Sequence, residues 1–237
     1  MATIDSQRLD MPAPPPRGSD KHPLFWKNRG HAHHYRSAAE EFDACKLGMW
    51  LFLATEILLF AGIFCAYTVF RSLYPEAWAA GSHHLDWRFG AMNTIVLLFS
   101  SWTAASAVRS AQLGKRGALI GNLVITIICA AAFIFIKLKF EYFVKLGLGK
   151  APGTWFSYPY AEHPQEPLWW SIYYMGTGLH ALHVIIGACL LGWVLFRTVR
   201  YNAYGPTHYT MVETSALYWH LVDIIWIFLF PLLYLIH

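Results

Sequence analysis

VETSALYWHLVDIIWIFLFPLLYLI, residues 212–236, is the stretch that decides the fold. At about 1.5 Å rise per residue it is long enough to cross about 30 Å of hydrocarbon as one helix. Yet it carries Glu213, His220 and Asp223. An ionisable side chain among lipid tails costs at least about 2.5 kcal/mol, so such residues face a protein partner, a cavity or a proton path. A helix turns about 100° per residue, so Glu213 and His220 project from nearly the same side, with Asp223 about 60° away. The three make one polar stripe, and a buried network tying this helix to its neighbours is the simplest use for it.

The rest of the chain agrees with a membrane. Its 237 residues are 56% hydrophobic and only 14% charged, with a mean hydropathy of +0.36, well above soluble domains of this length. The formal charge of +4 does not point to nucleic acid, because the basic residues sit at the ends of apolar runs and form no aromatic-interleaved patch. Cys45, Cys65, Cys129 and Cys189 lie far apart without a C-x-x-C pair, which argues against both a disulfide framework and a zinc site. There is no Gly-rich phosphate loop, nucleophile elbow or H-E-x-x-H pattern, so hydrolysis and nucleotide chemistry are not indicated.

Working back from 212–236, four more apolar stretches have spanning length, near 47–70, 91–111, 118–138 and 168–196. The chain is therefore expected to be an all-α polytopic membrane protein with five transmembrane helices in a bundle. Ser37 and Glu40 form a capping-box pattern, which starts the first helix two to three turns before the apolar run. Residues 1–36, with prolines from Pro12 to Pro16, are expected to be a flexible cytoplasmic segment, and 37–237 the membrane domain. The N-terminus lacks the apolar core of a signal peptide, leaving the first span as the targeting signal. Twelve of the 18 Lys and Arg residues fall before the first span or in the 109–117 and 197–211 loops. That bias puts the N-terminus in the cytoplasm, the connection 139–167 outside and the C-terminus in the periplasm. Trp155, Trp169, Trp170, Tyr173 and Tyr174 read as an interfacial aromatic belt. Small-residue pairs Gly62 and Ala66, Ser101 and Ala105, and Ala188 and Gly192 read as sites of close helix contact.

Several polar residues in these spans are candidates for function. Glu56 falls near mid-membrane in the first span, either as a protonated carboxyl bonded to a neighbouring helix or as a group facing a lipid cleft or proton route. His180 and His183 share one face of the fourth span, where hydrogen bonding is expected ahead of metal or haem ligation. Arg197 and Arg200 suit phospholipid head groups or an ordinary topology signal. His31, His33, His34, His83 and His84 are expected to be solvated loop residues. Two rival readings stay open: a b-type cytochrome with His183 and His220 as axial ligands, and a proton-coupled transporter. Against the transporter, the chain shows neither an inverted repeat nor a Gly/Pro-broken helix pair.

A family resemblance sharpens this. The terminal segment carries His208, Glu213, Tyr218-Trp219-His220, Val222-Asp223 and Trp226. Earlier come Ala54-Thr55-Glu56, Asn93-Thr94, Ser100-Ser101, Glu141-Tyr142 and the run Gly178-Leu179-His180-Ala181-Leu182-His183. With these motifs, residues from about 40 to 237 resemble subunit III of the haem-copper respiratory oxidases, the cytochrome c and quinol oxidases. Larger members have two helices before the glutamate-bearing one, so this chain is similar to the five-helix bacterial form, and the lipid cleft those two helices help to build would be altered or filled by another subunit. It departs from the family at Leu217, where a tryptophan is common, and at Val212, where a phenylalanine is.

The resemblance implies an accessory subunit with no redox centre and no metal of its own, the haems and copper lying in partner subunits I and II. It implies bound phospholipids and support of proton uptake and sustained turnover, with Glu56 matching the family's buried, carbodiimide-reactive carboxyl. Its implied partners are subunits I and II and membrane lipids, and no nucleic acid, while membership of a larger respiratory supercomplex stays open. Its implied place is the bacterial cytoplasmic (inner) membrane, in a cytochrome c oxidase in preference to a quinol oxidase.

Overall fold

The computed structural model describes Tyr35 and residues 37–235. The expectations for residues 1–34, including the proline run and His31, His33 and His34, lie outside the described residues, as does the C-terminal His237. Helix α1 runs Ala38–Leu73, α2 Pro75–His83, α3 Trp87–Gln112 and α4 Arg116–Ile136. A π-helical segment, Lys137–Tyr142, carries α4 without a break into α5, Phe143–Gly147. Helices α6, Glu166–Tyr201, and α7, Thr210–Tyr234, complete the chain. Among the described residues there is no strand, only a single antiparallel bridge between Gly205 and His208. Among the described residues, five helical segments are long and apolar enough to cross a membrane: Ala39–Leu73, Trp87–Gln112, Arg116–Gly147, Glu166–Tyr201 and Thr210–Tyr234.

Local chemistry explains most boundaries. Ser37 Oγ accepts the Glu40 amide at 3.2 Å, so α1 begins at the expected cap, ahead of its apolar run. Pro75 cannot continue α1 but suits the first turn of α2. Asp86 caps α3 by accepting the Arg88 amide at 2.9 Å. Gly114, at φ +68°, makes the turn into α4, a conformation that costs a side-chain-bearing residue about 1 kcal/mol or more. Asn202 ends α6 in the left-handed conformation, which asparagine tolerates better than most residues.

Helix α7 is the hub. It packs against α1, α3 and α6, while α4 closes the ring between α3 and α6. Over half of its apolar stretch is buried within this one chain, against 17% of that of α1, which lies on the outside of the bundle over α6 and α7. Trp219, Val222 and Trp226 are fully enclosed.

The structure corrects four expectations. The third span extends to Gly147, so the connection is 148–165 and not 139–167; Lys137, Glu141 and Lys145 resemble the end of an apolar run but are buried in the bundle, where Glu141 pairs with Lys137 and lies 3.7 Å from Lys145. Helix α2 was not expected, and it buries Ala77, Trp78 and Gly81. Trp169, Trp170 and Tyr173 are fully buried core residues and not a lipid-facing belt, with Trp169 stacked on Tyr173 at 5.5 Å; Trp155 alone of the tryptophans there is widely exposed. A Cβ added at Gly62 or Gly192 would meet nothing within 4 Å beyond the glycine's own helix. Close helix approach occurs instead at Gly187, where an added Cβ would lie 2.8 Å from the Trp219 ring, and at Gly81 and Gly90.

This contrast sets a test. Gly187→Val is expected to destabilise the chain by about 1–3 kcal/mol through overpacking at the α6–α7 contact. Gly192→Ala should stay within about 0.5 kcal/mol. Unfolding of the two variants in mixed detergent micelles compares them, and equal losses would contradict the packing described.

Candidate functional site

Glu56 and His183 meet midway along their helices. Glu56 Oε2 lies 2.7 Å from His183 Nε2, and His183 Nδ1 lies 2.7 Å from the Leu179 carbonyl oxygen one turn back on α6. A carbonyl only accepts, so Nδ1 carries a hydrogen. In the neutral imidazole Nε2 is then an acceptor, and a 2.7 Å contact with a carboxylate oxygen requires a proton between them. That proton sits either on the carboxyl or on the ring, and the pair is neutral overall in both states. The Phe60 ring edge and the Tyr218 face enclose the imidazole, at 5.1 and 6.4 Å between centroids. The site is thus a one-proton pair tying α1 to α6, with 16% of the Glu56 and 8% of the His183 side chain exposed.

The polar stripe on α7 divides among different partners. Glu213 pairs with Lys46 of α1 at 2.8 Å, and His220 Nδ1 lies 2.7 Å from Ser101 Oγ of α3. Asp223 is buried beside Ser101 of α3, yet neither carboxyl oxygen meets hydrogen-bond geometry with a partner among the described residues. Two indoles extend the attachment to α3: Trp219 Nε1 donates to Ser100 Oγ and Trp226 Nε1 to Thr94 Oγ1, each at 3.0 Å. The stripe therefore makes separate ties to two helices instead of one continuous network.

His180 and His183 do not act as a pair. His180 Nε2 meets the Val222 carbonyl oxygen of α7 at 3.1 Å, as a donor. Both His183 nitrogens are engaged, Nδ1 with the Leu179 carbonyl oxygen and Nε2 with Glu56. Among the described residues no three His, Cys, Asp or Glu side chains are grouped to hold a metal ion. Arg200 is exposed with its guanidinium 5.8 Å from the Tyr201 ring centre, and Arg197 is half-buried one turn earlier.

Two features escaped sequence reasoning. One is a buried ion cluster on the α4–α5 segment. Glu141 Oε2 accepts from Lys137 Nζ at 2.6 Å, from the Tyr173 hydroxyl at 2.6 Å and from the Tyr234 hydroxyl, with Lys145 Nζ at 3.7 Å. The spacing Lys137, Glu141, Lys145 was the available signal, since residues four apart share a helix face. The aromatic lining was not visible: Lys137 Nζ lies 5.0–5.1 Å from the ring centres of Tyr173, Trp226 and Tyr234. The other is an apolar groove of about 480 Å³ between α1 and α7, lined by Trp50, Leu53, Phe60, Ile224 and Phe228, with His220 as its one ionisable wall residue. His84 also departs from expectation. It is half-buried, stacked on Trp170 at 6.4 Å, and not a solvated loop residue.

Residues 29–237 match the family described as cytochrome c oxidase subunit III. The chain is 31% identical over 220 residues to cytochrome c oxidase subunit 3 of Synechocystis sp., covering 92% of this chain and 84% of the relative. It is 30% identical to cytochrome bo(3) ubiquinol oxidase subunit 3 of Pseudomonas putida, covering 80% and 84%. It is 34% identical to cytochrome c oxidase subunit 3 of Oncorhynchus mykiss, covering 80% of this chain and 68% of the relative.

The two kinds of ion pair differ in what their loss does. Glu141→Gln leaves Lys137 and Lys145 buried without an anion, and a loss of about 3–5 kcal/mol is expected. Lys46→Met removes a pair whose lysine is 41% exposed, and the expected loss is below about 1 kcal/mol. Thermal unfolding of the two variants measures the difference, and a Lys46→Met loss as large as that of Glu141→Gln would contradict this ranking.

Proposed function

The chain belongs to the cytochrome c oxidase subunit III family, and from that premise we propose that it works as the redox-inactive accessory subunit of a bacterial terminal oxidase, binding phospholipid and sustaining proton uptake. It is an integral membrane protein and a subunit III of a haem-copper oxidase. Its partners in this reading are subunits I and II, which hold the haems and copper, within the cytoplasmic membrane. The N-terminus lies in the cytoplasm and the C-terminus in the periplasm, in line with the Lys and Arg bias between loops. That orientation puts the Lys46–Glu213 pair near the cytoplasmic side and the Glu141 cluster near the opposite one. We take cytochrome c as the electron donor in preference to a quinol.

The observation that carries the reading is the Glu56–His183 pair. Its single proton can rest on oxygen or nitrogen without changing the net charge of the site, so a proton can be held at mid-membrane without an isolated buried ion. The groove between α1 and α7 is the proposed acyl-chain site, because its walls are apolar apart from His220. Arg197 and Arg200 at the end of α6 are the proposed head-group contacts. Both His183 nitrogens being engaged supports redox chemistry in the partner subunits over a haem held here.

Two experiments test this. The chain purified from its native membrane in mild detergent is expected to bring down haem-bearing subunits that oxidise reduced cytochrome c; a chain that runs alone, without haem, overturns the proposal. Glu56→Gln keeps the side-chain volume and can donate an amide hydrogen to His183 Nε2, but it cannot ionise. The complex should still assemble and show near-normal initial turnover, while losing activity faster over repeated turnovers or retaining less lipid. Failure to assemble would make Glu56 a packing group only.

A further inference from the structure

At the end of the bundle where α2, the 148–165 connection and the first turns of α6 meet, several polar groups surround Trp170. Its indole is fully buried. Lys145 Nζ and Lys150 Nζ lie 6.0 and 5.6 Å from its ring centre, and the His84 imidazole stacks on it. Both lysines are almost completely buried, and the acceptors near Lys145 are distant: 3.7 Å to Glu141 Oε2 and 3.4 Å to the Tyr173 hydroxyl. Glu166 lies one turn before Trp170 on α6, also fully buried. Its Oε1 accepts the amides of Glu162 and His163 at 2.7 and 3.2 Å. Burial and the neighbouring Lys150 charge hold the His84 pKa below its ordinary value.

Four atoms around this hub have no hydrogen-bond partner among the described residues: Trp170 Nε1, His84 Nε2, Glu141 Oε1 and Glu166 Oε2. The indole nitrogen can only donate and the carboxylate oxygens can only accept. An anion would serve the indole and the lysines but would face two buried carboxylates. A metal cation would face two buried ammonium groups. Water both donates and accepts, and buried water typically serves groups left unsatisfied by the protein itself.

We propose that this end of the bundle encloses a binding site for ordered water that bridges Glu141 and Lys145 to Trp170, His84, Lys150 and Glu166. The site gives the carboxylate inside the third span a hydrogen-bonded connection to the 148–165 segment. It also completes the coordination of Glu141, whose donors all converge on Oε2 and leave Oε1 to the water.

Trp219 and Trp226 supply an internal control. They are as deeply buried as Trp170, but their indole N–H groups are bonded to Ser100 and Thr94. X-ray hydroxyl-radical footprinting of the intact complex generates radicals from water in place, so a buried side chain beside bound water is oxidised while a dry one is not. Trp170 is expected to be oxidised several-fold faster than Trp219 and Trp226; equal rates overturn the proposal. A density map of the complex that resolves water is expected to show a peak within hydrogen-bond distance of Trp170 Nε1 and another near Glu141 Oε1. Bare van der Waals contact there, a partner subunit's side chain in that space, or a peak that bromide replaces would each overturn it.

Discussion

The hydrocarbon core contains no water to solvate a polar side chain, and this chain answers that constraint by turning most such groups toward one another, Asp223 being an exception. Lys46 finds Glu213, Glu56 finds His183, and Lys137 finds Glu141 with two tyrosine hydroxyls. Two indoles and one imidazole of α7 find hydroxyls of α3. Each contact joins different parts of the chain or closes a segment on itself, so the polar groups specify how the helices are placed. Apolar surface alone cannot do that in lipid, because the tails are as apolar as the side chains.

The consequence is clearest for α1. Most of its surface faces away from the bundle, so apolar burial within the chain holds it weakly. It is fixed by the Lys46–Glu213 pair at one end, by Glu56–His183 at mid-span and by the Tyr67 hydroxyl on the Leu232 carbonyl further along. Between these ties the α1–α7 groove stays open. A helix anchored at points and separated from its neighbour by an apolar gap leaves room for a lipid chain without losing its register. That arrangement connects the packing to the proposed role beside a larger catalytic partner.

Much of this was legible in the residues. The five spans follow from hydrophobic length, and the early start of α1 follows from Ser37 and Glu40, whose cap is present. Glu56 and His183 were each visible as costly residues in apolar runs, but their pairing across 127 positions was not, because no local period connects them. The continuation of the third span through Lys137 and Lys145 was missed because charge usually marks a helix end; here the lysines are buried around Glu141 within an aromatic shell. Trp169, Trp170 and Tyr173 fit an interfacial belt by composition and position, yet α2 packs over this end of α6 and makes it core. Gly62 and Gly192 were misplaced for a related reason: glycine permits close approach but does not say which helix face meets a neighbour, and Gly187, not Gly192, faces Trp219, while Ser101 of the second pair does meet α7.

The account rests on polar groups in the spans being held by another helix. A double-mutant cycle on Glu56 and His183, using Glu56→Leu, His183→Leu and the double variant, measures that directly through the unfolding free energy. The account predicts a favourable coupling of about 0.5–3 kcal/mol between the two positions, as for residues sharing a hydrogen bond. A coupling indistinguishable from zero, with the two single losses simply adding, would contradict it.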